Sequence, residues 1–304
     1  MKRHLFKADK NVYKANMHCH TTVSDGALTP QQIKEKYKSA GYSIVAFTDH
    51  DVLENHSYLN DTDFLAINAC EMEIVQTSQK LEKSKVYHLN LYSQDSDRKH
   101  TPPLPEMDYD DIDSINQYIK ARASEGFLVC YNHPYWSLQT YEDYSKLRGL
   151  FAMEIYNHNC EVGDGYCGYH PQVYSEMLRS GGKIFCLSTD DNHNWVDDSF
   201  GGYIMINAAS LQYSDIIDAL ERGDFYSSQG PEIHEISILE KKLRVCCSPV
   251  ELIVVYTDSR VSYFKQESGI TEAEFELSGR EEYIRVMCRD KEKRDANSNG
   301  CFIG

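Results

Sequence analysis

Residues 45–51 read Val45-Ala46-Phe47-Thr48-Asp49-His50-Asp51, an apolar run that breaks off into two acids flanking a histidine. A run this short, Ile44–Thr48, predicts a buried strand whose polar end marks the exit from the core. On its N-terminal side, Pro30–Ala40 sets Ile33, Tyr37 and Ala40 on one helical face behind a Thr29 cap, and Ala15–His20 precedes it as another strand. Strand–helix–strand is the unit of a parallel sheet. The alternation continues with strands at Phe64–Ala69, Val86–Tyr92, Phe127–Tyr131, Phe151–Tyr156, Lys183–Ser188 and Tyr203–Asn207, and helices at Ile112–Ser124, Pro171–Arg179 and Ser214–Arg222. This predicts an α/β domain with a mostly parallel sheet, and the number of strands suits a barrel better than a short open sheet.

Beyond Gly230-Pro231 the texture changes. Glu232–Leu239, Leu243–Cys247, Glu251–Thr257, Val261–Lys265, Ala273–Leu277 and Tyr283–Cys288 are β-rich, closely spaced and free of helical periodicity. They predict a small all-β, sandwich-like domain over residues 232–304, following a barrel over residues 1–231. Ser93–Asp113, polar and carrying three prolines and seven acids, reads as a surface loop.

Composition narrows the function classes. The 304 residues carry 31 Lys and Arg against 47 Asp and Glu, a formal net charge of −16. That argues against a long nucleic acid as partner, since phosphate neutralisation needs clustered cations. No apolar run reaches the roughly 18 residues of a membrane span. The start, Met1-Lys2-Arg3-His4, lacks the apolar core of an export signal, so the expected compartment is the cytoplasm. The ten cysteines are scattered, form no CxxC pair and in part sit in apolar runs, as buried free thiols do. Oligomeric state is not legible.

Histidine placement is more informative. In Asn16-Met17-His18-Cys19-His20, residues two apart on an extended chain point to one side, so His18 and His20 form a pincer and Cys19 faces the core. A bare HxH reads equally as two exposed histidines. Asp25, in the Ser24-Asp25-Gly26 turn, shifts the balance, because imidazole with carboxylate suits Zn, Mn or Fe. His50 ends the strand quoted first, with Asp49 or Asp51 available to cap a helix or orient the imidazole. Glu71 and Glu73 follow the third strand, His88 lies in the fourth, Asn132-His133-Pro134 closes the fifth, and Asp190-Asp191-Asn192-His193 follows Lys183–Ser188. Each alone is weak. Several strands all delivering His, Asp or Glu at one end is the pattern of a multinuclear metal site. Glu154, Asn157 and His158, at the end of another strand, could orient a ligand or contact substrate, and Asn132 is similar, so that Asn132, Asn157 and His158 are the candidate substrate contacts; a buried polar network beneath the mouth accounts for them equally well.

Taken in order, HxH, SDG, TDHD, a Glu after strand three, a lone His, NHP and a late DxH resemble the polymerase and histidinol phosphatase (PHP) family of metal-dependent hydrolases, over about Ala15 to Gly230. The resemblance implies a distorted (βα)7 TIM-like barrel with a trinuclear site at the strand C-termini, filled by two to three divalent transition metal ions. It implies one ion on His18, His20, Glu71 and Asp191, a second on Glu71, His88 and His133, and a third on Asp25, His50 and His193. Glu71 would bridge, and Glu71 and Asp191 would be the catalytic carboxylates. Ala69-Cys70 stands where many relatives carry Gly-x, so Glu71 against Glu73 is a question of register, and the D-x-H spacing selects Asp191 over Asp190.

The expected activity is phosphoester hydrolysis of a small anionic substrate by a metal-bridging hydroxide. Three divalent ions against Asp25, Glu71 and Asp191 would leave the pocket at roughly +3 despite the acidic chain. Alternatives are a carboxylic ester or carbamate hydrolase, towards which the Asp224–Pro231 segment and the β-rich tail point, and a metal-binding regulatory module without turnover.

Overall fold

The structure, a computed structural model, describes residues 2–8, 11–80 and 83–303. Met1 and Gly304, the outer ends of the two expected domains, lie outside the described residues. In chain order the elements are β1 (Arg3–Lys7), β2 (Val12–Asn16), α1 (Pro30–Ser39), β3 (Ile44–Phe47), β4 (Leu65–Val75), β5 (Val86–Ser93), α2 (Ile112–Ser124), β6 (Phe127–Tyr131), α3 (Tyr141–Tyr144), β7 (Ala152–Asn157), α4 (His158–Val162), α5 (Pro171–Arg179), β8 (Phe185–Thr189), β9 (Tyr203–Asn207), α6 (Tyr213–Arg222) and β10 (Phe225–Ser228). Six more strands follow: β11 (Ile233–Leu239), β12 (Lys242–Thr257), β13 (Tyr263–Glu276), β14 (Tyr283–Arg289), β15 (Asp295–Ser298) and β16 (Cys301–Phe302). The fold is mixed α/β, built on one large sheet with few helices.

Strands β2 to β8 lie side by side in sequence order. Pairing is parallel for β2–β3, β3–β4, β6–β7 and β7–β8, as the alternation predicts, but antiparallel for β4–β5 and β5–β6. The reason for β4–β5 is length: the connection from Val75 to Val86 is shorter than the dozen or more residues of a parallel crossover, so β5 runs back along β4, and β6, after α2, resumes the original direction. The reversal puts the start of β5, with His88, at the sheet end where its parallel neighbours finish. On the other flank, β9 and β10 continue antiparallel from β2 and join β15, β14, β12, β11 and β1.

Several element boundaries differ from expectation. β4 runs past Ala69 to Val75, so Glu71 sits within a strand. β2 ends at Asn16, and His18 to His20 continue as extended chain bridged to Asn192. The expected pairs of short strands in the tail fuse into the long β12 and β13, whose register shifts absorb the polar residues that looked like turns. The first strand, β1, pairs with β11, and Phe6 shares one buried cluster with Tyr226, Ile233, Val255 and Val286.

Helix α1 shows how local chemistry places a functional side chain. Thr29 and Gln32 form a reciprocal capping box and Pro30 occupies the first turn. The buried stripe Ile33 and Tyr37 packs against Val45 and Phe47, and the Tyr37 hydroxyl reaches inward to donate to Asp190 at 2.7 Å. All ten cysteines are free thiols. No helix among the described residues is long and apolar enough to cross a membrane.

The free edge of β8 meets β10 without a strand ladder. The Cys186 N–H donates to Asn299 Oδ1 at 3.0 Å, and Ser227 Oγ donates to the Cys186 carbonyl at 2.6 Å. Asn299 Nδ2 also donates to the Gly223 and Phe225 carbonyls. Side-chain groups here supply the hydrogen bonds a neighbouring backbone would give, as buried peptide groups require.

Candidate metal centre

Three short segments meet where β8 returns beside the continuation of β2. Asp191 N–H donates to the His18 carbonyl at 2.9 Å and His20 N–H to the Asn192 carbonyl at 3.0 Å. On the other side Thr48 N–H donates to the Cys19 carbonyl, and Cys19 N–H to Thr48 Oγ1. Held extended between these neighbours, residues 18–20 alternate sides. His18 and His20 point together, while Cys19 is buried with Ile33, Tyr37 and Phe47.

Asp25 is positioned by a turn that Asp49 folds. The Asp49 carboxylate accepts Thr21 N–H at 2.8 Å, Ser24 N–H at 3.1 Å and both hydroxyls. Gly26 closes that turn against residue 20, where a Cβ would stand 2.5 Å from the His20 carbonyl oxygen. His50 is placed by a bridge to Glu71, Glu71 N–H donating to the Asp49 carbonyl and Asp51 N–H to that of Glu71.

The donor atoms fall into three groups, each within 4.8 Å: His18, His20, Glu71 and Asp191; Glu71, His88 and His133; and His20, Asp25, His50 and His193. The nine residues expected to be ligands are thus brought together, with His20 facing two groups. Glu71 divides its carboxylate. Oε1 lies 3.1 Å from His88 Nδ1 and 3.4 Å from His133 Nε2, while Oε2 lies 3.3 Å from both His18 Nε2 and His20 Nε2 and 3.4 Å from His50 Nδ1. Asp191 Oδ1 lies 3.0 and 3.1 Å from the same His18 and His20 nitrogens.

Both ambiguous pairs separate clearly. Glu73 is exposed and stands 3.7 Å from His88, whereas Glu71 is buried among five imidazoles, so Glu71 is the inward residue. Asp190 faces away and accepts Tyr37 O–H and the N–H groups of Phe200, Gly201 and Gly202. Asp191 turns into the site through a left-handed backbone, φ +54°, a conformation rare outside glycine.

The donor set fits divalent ions. His18 Nε2 and His20 Nε2 stand 3.1 Å apart, and His20 Nδ1, His88 Nδ1 and Asp191 Oδ1 are buried with no well-formed hydrogen bond. Buried polar atoms converging on one another without partners are what a cation satisfies, and mixed imidazole and carboxylate donors suit Zn, Mn or Fe. Without an ion, the groups compensate electrostatically. Burial alone would lower the His18 imidazole, but Asp191, Glu71 and Glu154 outweigh it and raise it to about 10. His88, likewise opposed by burial, is raised by Glu71 and Glu73 to about 9. Burial would raise Asp25, Glu71 and Asp191, yet the facing imidazoles hold all three well below the usual carboxylate range.

A second layer fixes ring orientation. His18 Nδ1–H donates to Glu154 Oε1 at 2.6 Å and His193 Nδ1–H to the Asp191 carbonyl at 3.0 Å, leaving each Nε2 for the centre. Glu154 also accepts Thr189 O–H, the Asn157 amide and His133 N–H. Glu154, weighed from sequence between orienting a ligand and a buried polar network, is one acid inside an otherwise apolar strand and is fully buried once β7 forms.

Seven of the nine line a cavity of about 400 Å³, with His18 and His20 buried beneath. The expected substrate contacts are placed otherwise. Asn132 donates to Glu71 Oε1 at 2.7 Å, Asn157 donates to Glu154 and Asp191 and caps α4, and His158 Nδ1 pairs with the Tyr156 hydroxyl. None of the three lines the cavity: Asn132 and Asn157 serve buried carboxylates, and His158 is engaged by Tyr156. Residues 94–111, between β5 and α2 in the expected surface loop, are not among the cavity lining. No Lys or Arg among the described residues lines the wall, whereas Asp164 and Asp198 do.

The family profile described as PHP domain matches residues 16–191. Among solved structures, a two-domain protein from Bacteroides vulgatus ATCC 8482, described as containing a predicted PHP-like metal-dependent phosphoesterase, has 14% identity. The match covers 99% of this chain and 97% of that one, with a TM-score of 0.50, a likeness of fold. A candidate metal-dependent phosphoesterase from Bifidobacterium adolescentis ATCC 15703 has 13% identity over 59% of this chain and 87% of that one, TM-score 0.38. An amidohydrolase from Chromobacterium violaceum, with bound sulfate and no metal, has 12% identity over 60% and 89%, TM-score 0.42. No curated protein matches the chain.

Proposed function

Because the chain belongs to the PHP domain family, we propose that it is a metal-dependent hydrolase acting on a small phosphate monoester. The observation that carries this reading is the divided carboxylate of Glu71, which gives one oxygen to His88 and His133 and the other to His18, His20 and His50. We assign His18, His20, Glu71 and Asp191 to one ion, Glu71, His88 and His133 to a second, and Asp25, His50 and His193 to a third, Zn, Mn or Fe. When bound, such ions activate water and stabilise charge on the phosphoryl oxygens.

The protein's own groups orient and discriminate. Glu154 holds the His18 ring by its Nδ1–H, and the Asp191 carbonyl does the same for His193. Asn132 steadies the bridging Glu71, and Asn157 steadies Asp191. With no Lys or Arg among the described residues on the wall, attraction for an anionic substrate depends on the filled site. We read β2 to β8 as a distorted (βα)7 barrel within residues 1–231, and residues 232–304 as a small β domain to which β1 is added.

The test is direct. Protein purified without chelator should contain two to three divalent ions per chain and hydrolyse p-nitrophenyl phosphate faster than p-nitrophenyl acetate, with inorganic phosphate competing. Metal-dependent acetate hydrolysis that exceeds phosphate hydrolysis and ignores free phosphate would replace the phosphoester reading with the carboxylic ester one. Retained metal with no turnover of either would favour a regulatory module.

A further inference from the structure

The chain has two tryptophans, and both stand at the mouth of the metal-site cavity. Trp136 follows His133 on the loop after β6, its ring centroid 5.2 Å from that of His133 and 5.6 Å from that of His88. Trp195 follows His193, and its indole N–H donates to the Asp25 carbonyl at 2.7 Å. One indole therefore adjoins the His88 and His133 group, and the other the Asp25 and His193 group.

Both keep much of their surface open, Trp136 at 42% and Trp195 at 73%, and Val196 beside them is 53% exposed. Large aromatic side chains left in water at a cavity mouth forgo burial that a ligand can restore. Among the described residues no Lys or Arg lines the wall above the metal ligands, so its upper part suits a flat, uncharged group. The hydrogen bond to Asp25 fixes the edge of Trp195, and His88 and His133 pack against Trp136. Both walls are thus set before a ligand arrives, which lowers the ordering cost of binding.

We propose that Trp136 and Trp195 are specificity-determining residues that hold a flat aromatic ring of the substrate over the metal centre, so that the preferred substrates are phosphate esters of ring-bearing alcohols. This rests on the phosphoester reading for the phosphate and on the tryptophans alone for the ring. Two sources supply such a ring, a simple aryl group and a nucleobase. Base–aromatic contacts are strong enough that losing one should weaken ring binding roughly tenfold.

Two measurements separate the ring from the phosphate. Titrating the metal-loaded protein with adenosine, which carries a ring and no phosphate, should quench tryptophan emission saturably, and Trp195→Ala and Trp136→Phe should each weaken that binding. In kinetics, Trp195→Ala should lower the kcat/KM preference for p-nitrophenyl phosphate over glycerol 2-phosphate roughly tenfold, mainly through KM. A larger effect with adenosine monophosphate than with p-nitrophenyl phosphate assigns the ring to a nucleobase, the reverse to an aryl group. If only carboxylic esters are hydrolysed, the phosphoester reading fails, and the ring proposal is still read from adenosine quenching and from p-nitrophenyl acetate against ethyl acetate. Absence of quenching by both adenosine and benzyl alcohol, or equal losses on ring-bearing and ring-free substrates in both variants, overturns the proposal.

Discussion

Reloading the stripped protein with metal should expel protons, and their number can be worked out from the site. In the metal-free protein the carboxylates hold His18 at about 10 and His88 at about 9, in each case against burial. At about pH 7.5 both rings are almost wholly imidazolium. A metal accepts only the neutral ring, so filling the site releases about two protons from these residues. The carboxylates add none, because Asp25, Glu71 and Asp191 are already ionised. The sign follows: protons compete with metal, so affinity rises with pH by about two log units per unit below roughly pH 9 and levels off above about 10 as the rings deprotonate unaided. Calorimetric titration with MnCl2, in two buffers of different ionisation enthalpy, gives the proton count directly. Release of less than about one proton per chain, or affinity flat between about pH 7 and 9, would refute the charge balance drawn here.

Glu71→Gln should strip metal and abolish hydrolysis, whereas exposed Glu73→Gln should leave metal content within about twofold, both read by elemental analysis. Glu154→Gln, which replaces the acceptor for His18 Nδ1–H, should weaken metal affinity roughly ten- to hundredfold in a chelator competition. Asp190→Asn turns one acceptor oxygen towards donors into an amide, and should cost about 3 kcal/mol in urea unfolding while metal is retained. Asn299→Ala leaves the buried Cys186 N–H without its acceptor and should cost about 2 kcal/mol by the same measurement.

Much of the site is legible in sequence because its ligands sit beside local signals. HxH on extended chain, acids at the end of an apolar run and D-x-H after another each carry their geometry in their spacing, as His18 with His20 shows. What sequence conceals depends on pairing between distant segments. The reversal of β5, which brings His88 from a strand start to the site, follows from a short connection that reads equally as a surface turn. Glu154, Asn132 and Asn157 read from sequence equally as ligand-orienting groups, substrate contacts or a buried network, because only the packed strands show which donors and acceptors face them. The tail's short strands were misjudged because polar residues along β12 and β13 fill bulges rather than turns.

The closure of β8 by Asn299 and Ser227 has a consequence for synthesis on the ribosome. Asp191 emerges early, yet the strand that leads into it has its free edge completed by a residue 108 positions later, from Asp191 to Asn299. Until that residue clears the exit tunnel, the Cys186 N–H has no protein acceptor, and the nascent chain presents an open sheet edge beside a half-assembled cluster of histidines. All nine expected ligands are then already made, so stable retention of metal should await docking of the downstream polypeptide rather than its ligands. A ribosome that stalls between the two positions would release a product poor in metal and prone to edge-to-edge association, rather than a working catalyst lacking an accessory piece.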